Sequence, residues 1–119
     1  MTDVFSVSSE RQGATTGIVT LAGEVDIYTA PRFKEGMLEL LDGGVHTLIV
    51  DLSGVTFIDS TALGVLIGGL RRVHDAGGSM ALVVATPAVE RALSITGLDR
   101  VFAVHATRAA AAFPTPPAC

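Results

Sequence analysis

The chain has 119 residues, of which 49% are hydrophobic and 17% charged, with a net charge of −4 at neutral pH. Such a length supports one domain with a substantial core, and such a composition excludes extended disorder. The Lys and Arg side chains number only 8 and are scattered, so no basic face for nucleic acid is available.

Without tryptophan and with few aromatics, the core must be assembled from Val, Leu, Ile and Ala. The one cysteine, Cys119, excludes an intrachain disulfide and fits a reducing compartment. The opening MTDVFSVSSER lacks a basic stretch followed by an apolar one, so no signal peptide is expected. The apolar runs TALGVLIGGL and MALVVA fall short of the roughly 18–20 residues that cross a bilayer. A cytoplasmic protein without direct membrane contact is expected.

Weak alternation over Val4 to Ser8 predicts a first strand, and TGIVTLAGEVD holds a clearer one, Ile18 to Ala22, ended by Gly23. Glu10 to Gly17 suits a hairpin connection between them. Thr29 reads as a helix N-cap, with Pro31 in the first turn, where its missing N–H costs nothing. Phe33, Met37, Leu40 and Leu41 follow at helical spacing before Gly43-Gly44 stops the helix.

HTLIVDLSGV is nearly continuous in apolar residues, as expected of a strand covered on both faces or central in its sheet. A helix from about Ser60 to Ala76 follows, closed by Gly77-Gly78, and SMALVVA predicts another buried strand. In TPAVERALSITG, Thr86 reads as the cap, Pro87 as the first helical residue and Gly97 as the terminator. RVFAVHA predicts a last strand, Thr107 to Phe113 a terminal helix, and PTPPAC a frayed tail. The order β-β-α-β-α-β-α-β-α implies an α/β fold, a mixed sheet with largely parallel neighbours. Partners of such sheets dock beyond the carboxyl ends of strands. The stretch SGVTFIDST is one of those ends.

On the helix from Ser60, the side chains of Leu63, Leu66, Ile67, Leu70 and Val73 form the predicted core stripe. Ser60, Gly64, Gly68, Arg71 and Arg72 fall in another, outward row. Each exposed helical glycine gives up roughly 1 kcal/mol relative to alanine. Either another part of the chain lies across this row, such as the C-terminal helix, or a partner uses the bare backbone. Ser60 likewise has two readings. It is a simple cap shared with Asp59 and Thr61, or it is a phosphoacceptor at the positive end of a helix. Asp59 would oppose the new charge, and a partner would then have to desolvate a strongly anionic site.

The stretch FIDSTALGVLIGG, preceded by LIVDLSGV and LAGEVDIYTAPRFKE, resembles the anti-sigma factor antagonists, the stand-alone members of the STAS domain superfamily. The resemblance runs from Val4 to about Ala112. It implies a STAS-type mixed, largely parallel sheet of about five strands with helices packed against it. The domain would span residues 1–112, leaving 113–119 as a disordered tail. It implies no catalysis and no cofactor or metal, but a partner: an anti-sigma factor that is a serine/threonine kinase. The unmodified antagonist binds that kinase and frees the sigma factor. Phosphorylation, at Ser60 here, blocks binding until a serine phosphatase removes the group. Asp26, in GEVD, matches an acidic loop residue that contacts the partner. The implied partner surface is thus Asp26, Asp59, Ser60, Thr61, Gly64 and Gly68. Ala62 stands where the family often has glycine, which would stiffen the helix start and tune kinase access. Tyr28 receives no role.

Two other functions compete with this one. An accessory subunit on a membrane lipid or anion transporter would use the same helix row without modifying Ser60. A hydrolase built on Ser60 would need flanking glycines that FIDST lacks. His46, His74 and His105 are too dispersed for a metal site. No glycine-rich nucleotide loop is present, so nucleotide binding is unsupported.

Overall fold

The computed structural model describes residues 5–112. Val4, the expected tail 113–119 and Cys119 lie outside them. A hairpin comes first, β1 (Ser6–Gln12) and β2 (Thr16–Val25). Then come α1 (Ala30–Asp42), β3 (Thr47–Ile58), α2 (Ser60–Asp75), β4 (Ser79–Val83) and α3 (Pro87–Thr96). A 3-10 turn (Leu98–Arg100), β5 (Ala103–His105) and α4 (Arg108–Ala112) complete the described chain. The five strands form one sheet in the order β1-β2-β3-β4-β5, with β1 antiparallel to β2 and every other pair parallel. This is the α/β order and the largely parallel sheet expected from the sequence.

The first half of β3 is buried and mostly apolar because helices cover both of its faces there. Leu48, Val50 and Leu52 join the main core, with Phe33 and Met37 of α1, Leu66 and Val73 of α2, and Leu93 of α3. Ile49 faces the other way, where Ile18, Val83 and Ala111 of α4 make a smaller cluster.

Three expectations change. The hairpin strands are longer than the sequence suggests: Gln12 pairs with Thr16, leaving a three-residue turn at Gly13, whose φ is +77°. β1 is a polar edge strand held by backbone pairing, which hydrophobic alternation does not detect. Gly23 does not end its strand. It takes φ +91° at a register shift, and β2 continues to Val25. Ile67 leaves the core and is 38% exposed. The buried stripe of α2 is Ala62, Leu63, Leu66, Gly69, Leu70 and Val73. At about 100° per residue, Ile67 falls on the far flank of that stripe.

Thr29 and Thr86 stand at the expected cap positions, yet neither side chain caps its helix. The Thr29 hydroxyl donates to the carbonyl of Glu24 at 2.9 Å, and that of Thr86 to the carbonyl of Val55 at 2.8 Å. Each ties a helix entrance to a strand instead.

Candidate functional site

β2 and β3 run parallel and end side by side, with Val25 opposite Ile58 in register. The Asp59 N–H donates to the Val25 carbonyl at 3.2 Å, so the pairing holds to the last residue of each strand. Asp26 and Asp59 therefore leave the sheet next to each other, although far apart in sequence.

The turn after β2 is closed by Asp26. Its Oδ1 accepts from the N–H groups of Tyr28, at 2.9 Å, and Thr29, at 3.1 Å. Its backbone N–H donates to the Thr29 hydroxyl at 2.9 Å, and its carbonyl accepts from the N–H of Ala30 at 2.7 Å. Asp26 is half-buried by these contacts, while Ile27 and Tyr28 project from the turn, 60% and 86% exposed.

After β3, Asp59 alone caps α2. Its backbone is extended, and its Oδ1 accepts from the N–H of Ala62 at 3.0 Å. Ser60 and Thr61 begin the helix with exposed side chains. Among the described residues the Ser60 hydroxyl has no hydrogen-bond partner, so it is open to an incoming group. A phosphate there would meet the positive helix end, but also a carboxylate already occupying part of the first turn. Ala62 is fully buried. Its methyl group fills the core beneath the first turn of α2.

The glycines of α2 divide in two. A Cβ added at Gly64 or Gly68 would meet no described atom within 4 Å, and α4, the element that might have covered them, lies on the opposite face of the sheet. A Cβ at Gly69 would land on the sulfur of Met37, because α1 and α2 make their close approach there. A groove of about 410 Å³ runs between these helices. Lys34 and Leu38 form one wall, Thr61, Gly64 and Gly68 the other. The open row begins at Ser60 and ends toward Arg71 and Arg72, the latter paired with Asp42 of α1.

The STAS domain profile matches residues 7–111. The chain belongs to the STAS domain family. Within it, this STAS domain resembles the anti-sigma factor antagonists. It is 36% identical over 88 residues to the anti-sigma-B factor antagonist of Bacillus subtilis, covering 74% of this chain and 80% of that one. The crystal structure of an anti-sigma factor antagonist from Mycobacterium paratuberculosis superimposes with a TM-score of 0.84 at 25% identity, over 94% of this chain and 96% of that one. The Bacillus cell fate determinant SpoIIAA, solved in its phosphorylated form, shares the fold with a TM-score of 0.71 at 22% identity, over 90% and 96% of the two chains.

In this STAS domain the expected site residues form one surface. Asp26, Asp59, Ser60 and Thr61 share the carboxyl end of the sheet, and Gly64 and Gly68 continue from it along α2. Among the described residues no group of three or more His, Cys, Asp or Glu side chains could hold a metal ion. No described helix is long and apolar enough to cross a membrane. Neither periodicity nor the family resemblance assigns Ile27, Tyr28 or Phe57 to this end. Phe57, 47% exposed, pairs with Glu24 one residue before the Val25–Ile58 pair. The available signal was large apolar side chains at strand-to-helix junctions, where burial has no obvious taker.

Proposed function

We propose that this STAS domain is a phosphorylation-gated anti-sigma factor antagonist, working without catalysis of its own in the cytoplasm. Unphosphorylated, it binds an anti-sigma factor that is a serine/threonine kinase, and the sigma factor is released. Phosphate transferred to Ser60 blocks that binding, and a serine phosphatase restores it. Asp26, Asp59, Ser60, Thr61, Gly64 and Gly68 form the docking surface.

One observation carries the reading. An exposed serine hydroxyl, free of hydrogen bonds among the described residues, opens α2 beside an acidic cap. A phosphoserine there adds about −1.5 to −2 charges next to Asp59. Covering the combined site costs the kinase a large desolvation penalty, whereas the neutral hydroxyl is easily covered. The fold changes little, because the core side of α2 is untouched. Docking as an accessory subunit on a lipid or anion transporter is not favoured. It gives no role to Ser60 standing beside Asp59, and the Bacillus subtilis and Mycobacterium paratuberculosis relatives named above are antagonists of about this length.

Incubation with the anti-sigma kinase and ATP, followed by mass spectrometry, tests the proposal. Phosphate on Ser60, and loss of kinase binding by the modified chain, is the expected result. Modification confined to Thr61 or Ser53, or unchanged binding after Ser60 is modified, would overturn it.

A further inference from the structure

We infer that Tyr28 and Ile27 anchor the kinase, and that Asp26 is a positioning residue that presents them, a refinement that rests on the partner-switching function proposed above. Three observations lead there. The Asp26 Oδ1 is engaged inside its own turn by the N–H groups of Tyr28 and Thr29. The turn is fixed a second time by the Thr29 hydroxyl, which accepts from the Asp26 N–H and donates to the Glu24 carbonyl. The two side chains held at its tip are large, apolar and among the most exposed of their kind in the described chain.

A rigid turn carrying an exposed tyrosine meets the physical requirements of an interface anchor. Tyrosine buries a large area with few rotatable bonds, and a preorganised loop loses little entropy on docking. The position is also the right one for a gated interface. Asp59 is hydrogen-bonded to Val25, immediately before this turn, and Ser60 follows Asp59. A surface covering Tyr28 must therefore pass close to the phosphoacceptor.

The charges state what the occupant looks like. Glu24, Asp26 and Asp59 flank the apolar tip, and all are acidic. Asp26 and Asp59 turn Oδ1 to their own backbone, so the matching face of the kinase is an apolar pocket for Tyr28 and Ile27 with Lys or Arg opposite the exposed Glu24. Phe57, opposite Glu24 on β3, extends the apolar patch from the neighbouring strand.

The assignment separates two roles for Asp26 that a single alanine variant confuses. In Asp26→Asn the Oδ1 acceptor remains and the turn is preserved, while the charge is lost. In Asp26→Ala both disappear. Affinity for the anti-sigma kinase that binds the wild-type chain is measured for Tyr28→Ala, Ile27→Ala, Asp26→Asn and Asp26→Ala, beside thermal melts. Tyr28→Ala should bind about tenfold or more weakly without a change in melting temperature. Asp26→Asn should bind within about threefold of wild type, and Asp26→Ala about tenfold more weakly. Tyr28 is the sole tyrosine, so its nitration by tetranitromethane should be fast in the free chain and blocked in the complex. Wild-type affinity in Tyr28→Ala, unprotected nitration, or an Asp26→Asn as weak as Asp26→Ala would overturn the assignment while leaving the partner-switching function standing. If the wild-type chain binds no anti-sigma kinase, that function fails and the anchor fails with it.

Discussion

Arg108, at the start of α4, donates through Nε to the Oδ2 of Asp51 at 2.5 Å and so pins the last helix to the central strand. The same guanidinium reaches Glu10 on β1 and Thr20 on β2. One side chain thus bridges three adjacent strands. Asp51 is buried, and the N–H and hydroxyl of Ser53 hold its other oxygen.

That arrangement sets a pH dependence. Burial pushes the Asp51 carboxyl up, but hydrogen bonds from Ser53 and Arg108 and the Arg108 charge outweigh it, so the group titrates below its ordinary value of 3.8. A carboxyl with a depressed folded pKa adds stability above its unfolded pKa and loses it as pH falls through the folded one. Urea titrations should therefore show Asp51→Asn less stable than wild type at neutral pH, by about 1–3 kcal/mol. The gap should close as pH falls below 3.8. A gap independent of pH would mean that packing, not the charge, makes the contribution.

Asp59 should prove separable into cap and charge. Asp59→Ala removes the acceptor for the Ala62 N–H and should lower stability by about 0.5–2 kcal/mol. Asp59→Ser retains a capping oxygen and should recover most of that loss in thermal melts. If both variants melt alike, the cap is not what Asp59 contributes.

The three helical glycines should respond differently to the same mutation. Gly64→Ala and Gly68→Ala should match wild type or gain up to about 1 kcal/mol, since alanine is the better helix former. Gly69→Ala should gain less than either, or lose up to about 1 kcal/mol, because its methyl group must displace the end of the Met37 side chain. Gly68→Gln should fold normally and bind the kinase poorly. Melting curves that rank Gly68→Ala with Gly69→Ala would place a covering element over the outward row.

Ser60 variants complete the set. Ser60→Ala should bind the kinase constitutively and resist inactivation by ATP. Ser60→Asp should bind weakly, though one carboxylate supplies less than the −1.5 to about −2 charges of phosphoserine. Equal binding by both variants would show that charge at this position does not gate the interface.

Much of this architecture was legible in the sequence because its signals are local. The apolar run of β3, the Pro31 and Pro87 helix starts and the glycine stops each act within a few residues. The outward row of Ser60, Gly64 and Gly68 followed from helical periodicity, whereas its reading as a partner surface with Asp26 and Asp59 came with the family resemblance. What escaped depends on contacts between distant segments. β1 is polar and is held by its pairing with β2 and by side-chain bonds to α1 and Arg108. Gly23 bulges instead of terminating because β3 continues beside it. Gly69 could not be told from Gly68 without knowing on which side α1 packs. The roles of Thr29 and Thr86 changed because strand carbonyls lay within reach of their hydroxyls. Asp51 carried a readable hint, a carboxylate inside an apolar strand, but its partner lies 57 residues away.

The sheet order repeats the chain order, each strand lying beside the one made before it. A chain emerging from the ribosome can therefore add strands in succession, without holding an early edge open for a late insertion. The Ser60 surface needs only β2, β3 and α2, so its parts are present once residue 75 has been made. The closing of the Arg108 bridge comes last, and it fastens the three strands synthesised first. The residues that build the docking surface thus precede, along the chain, the residue that fastens the sheet.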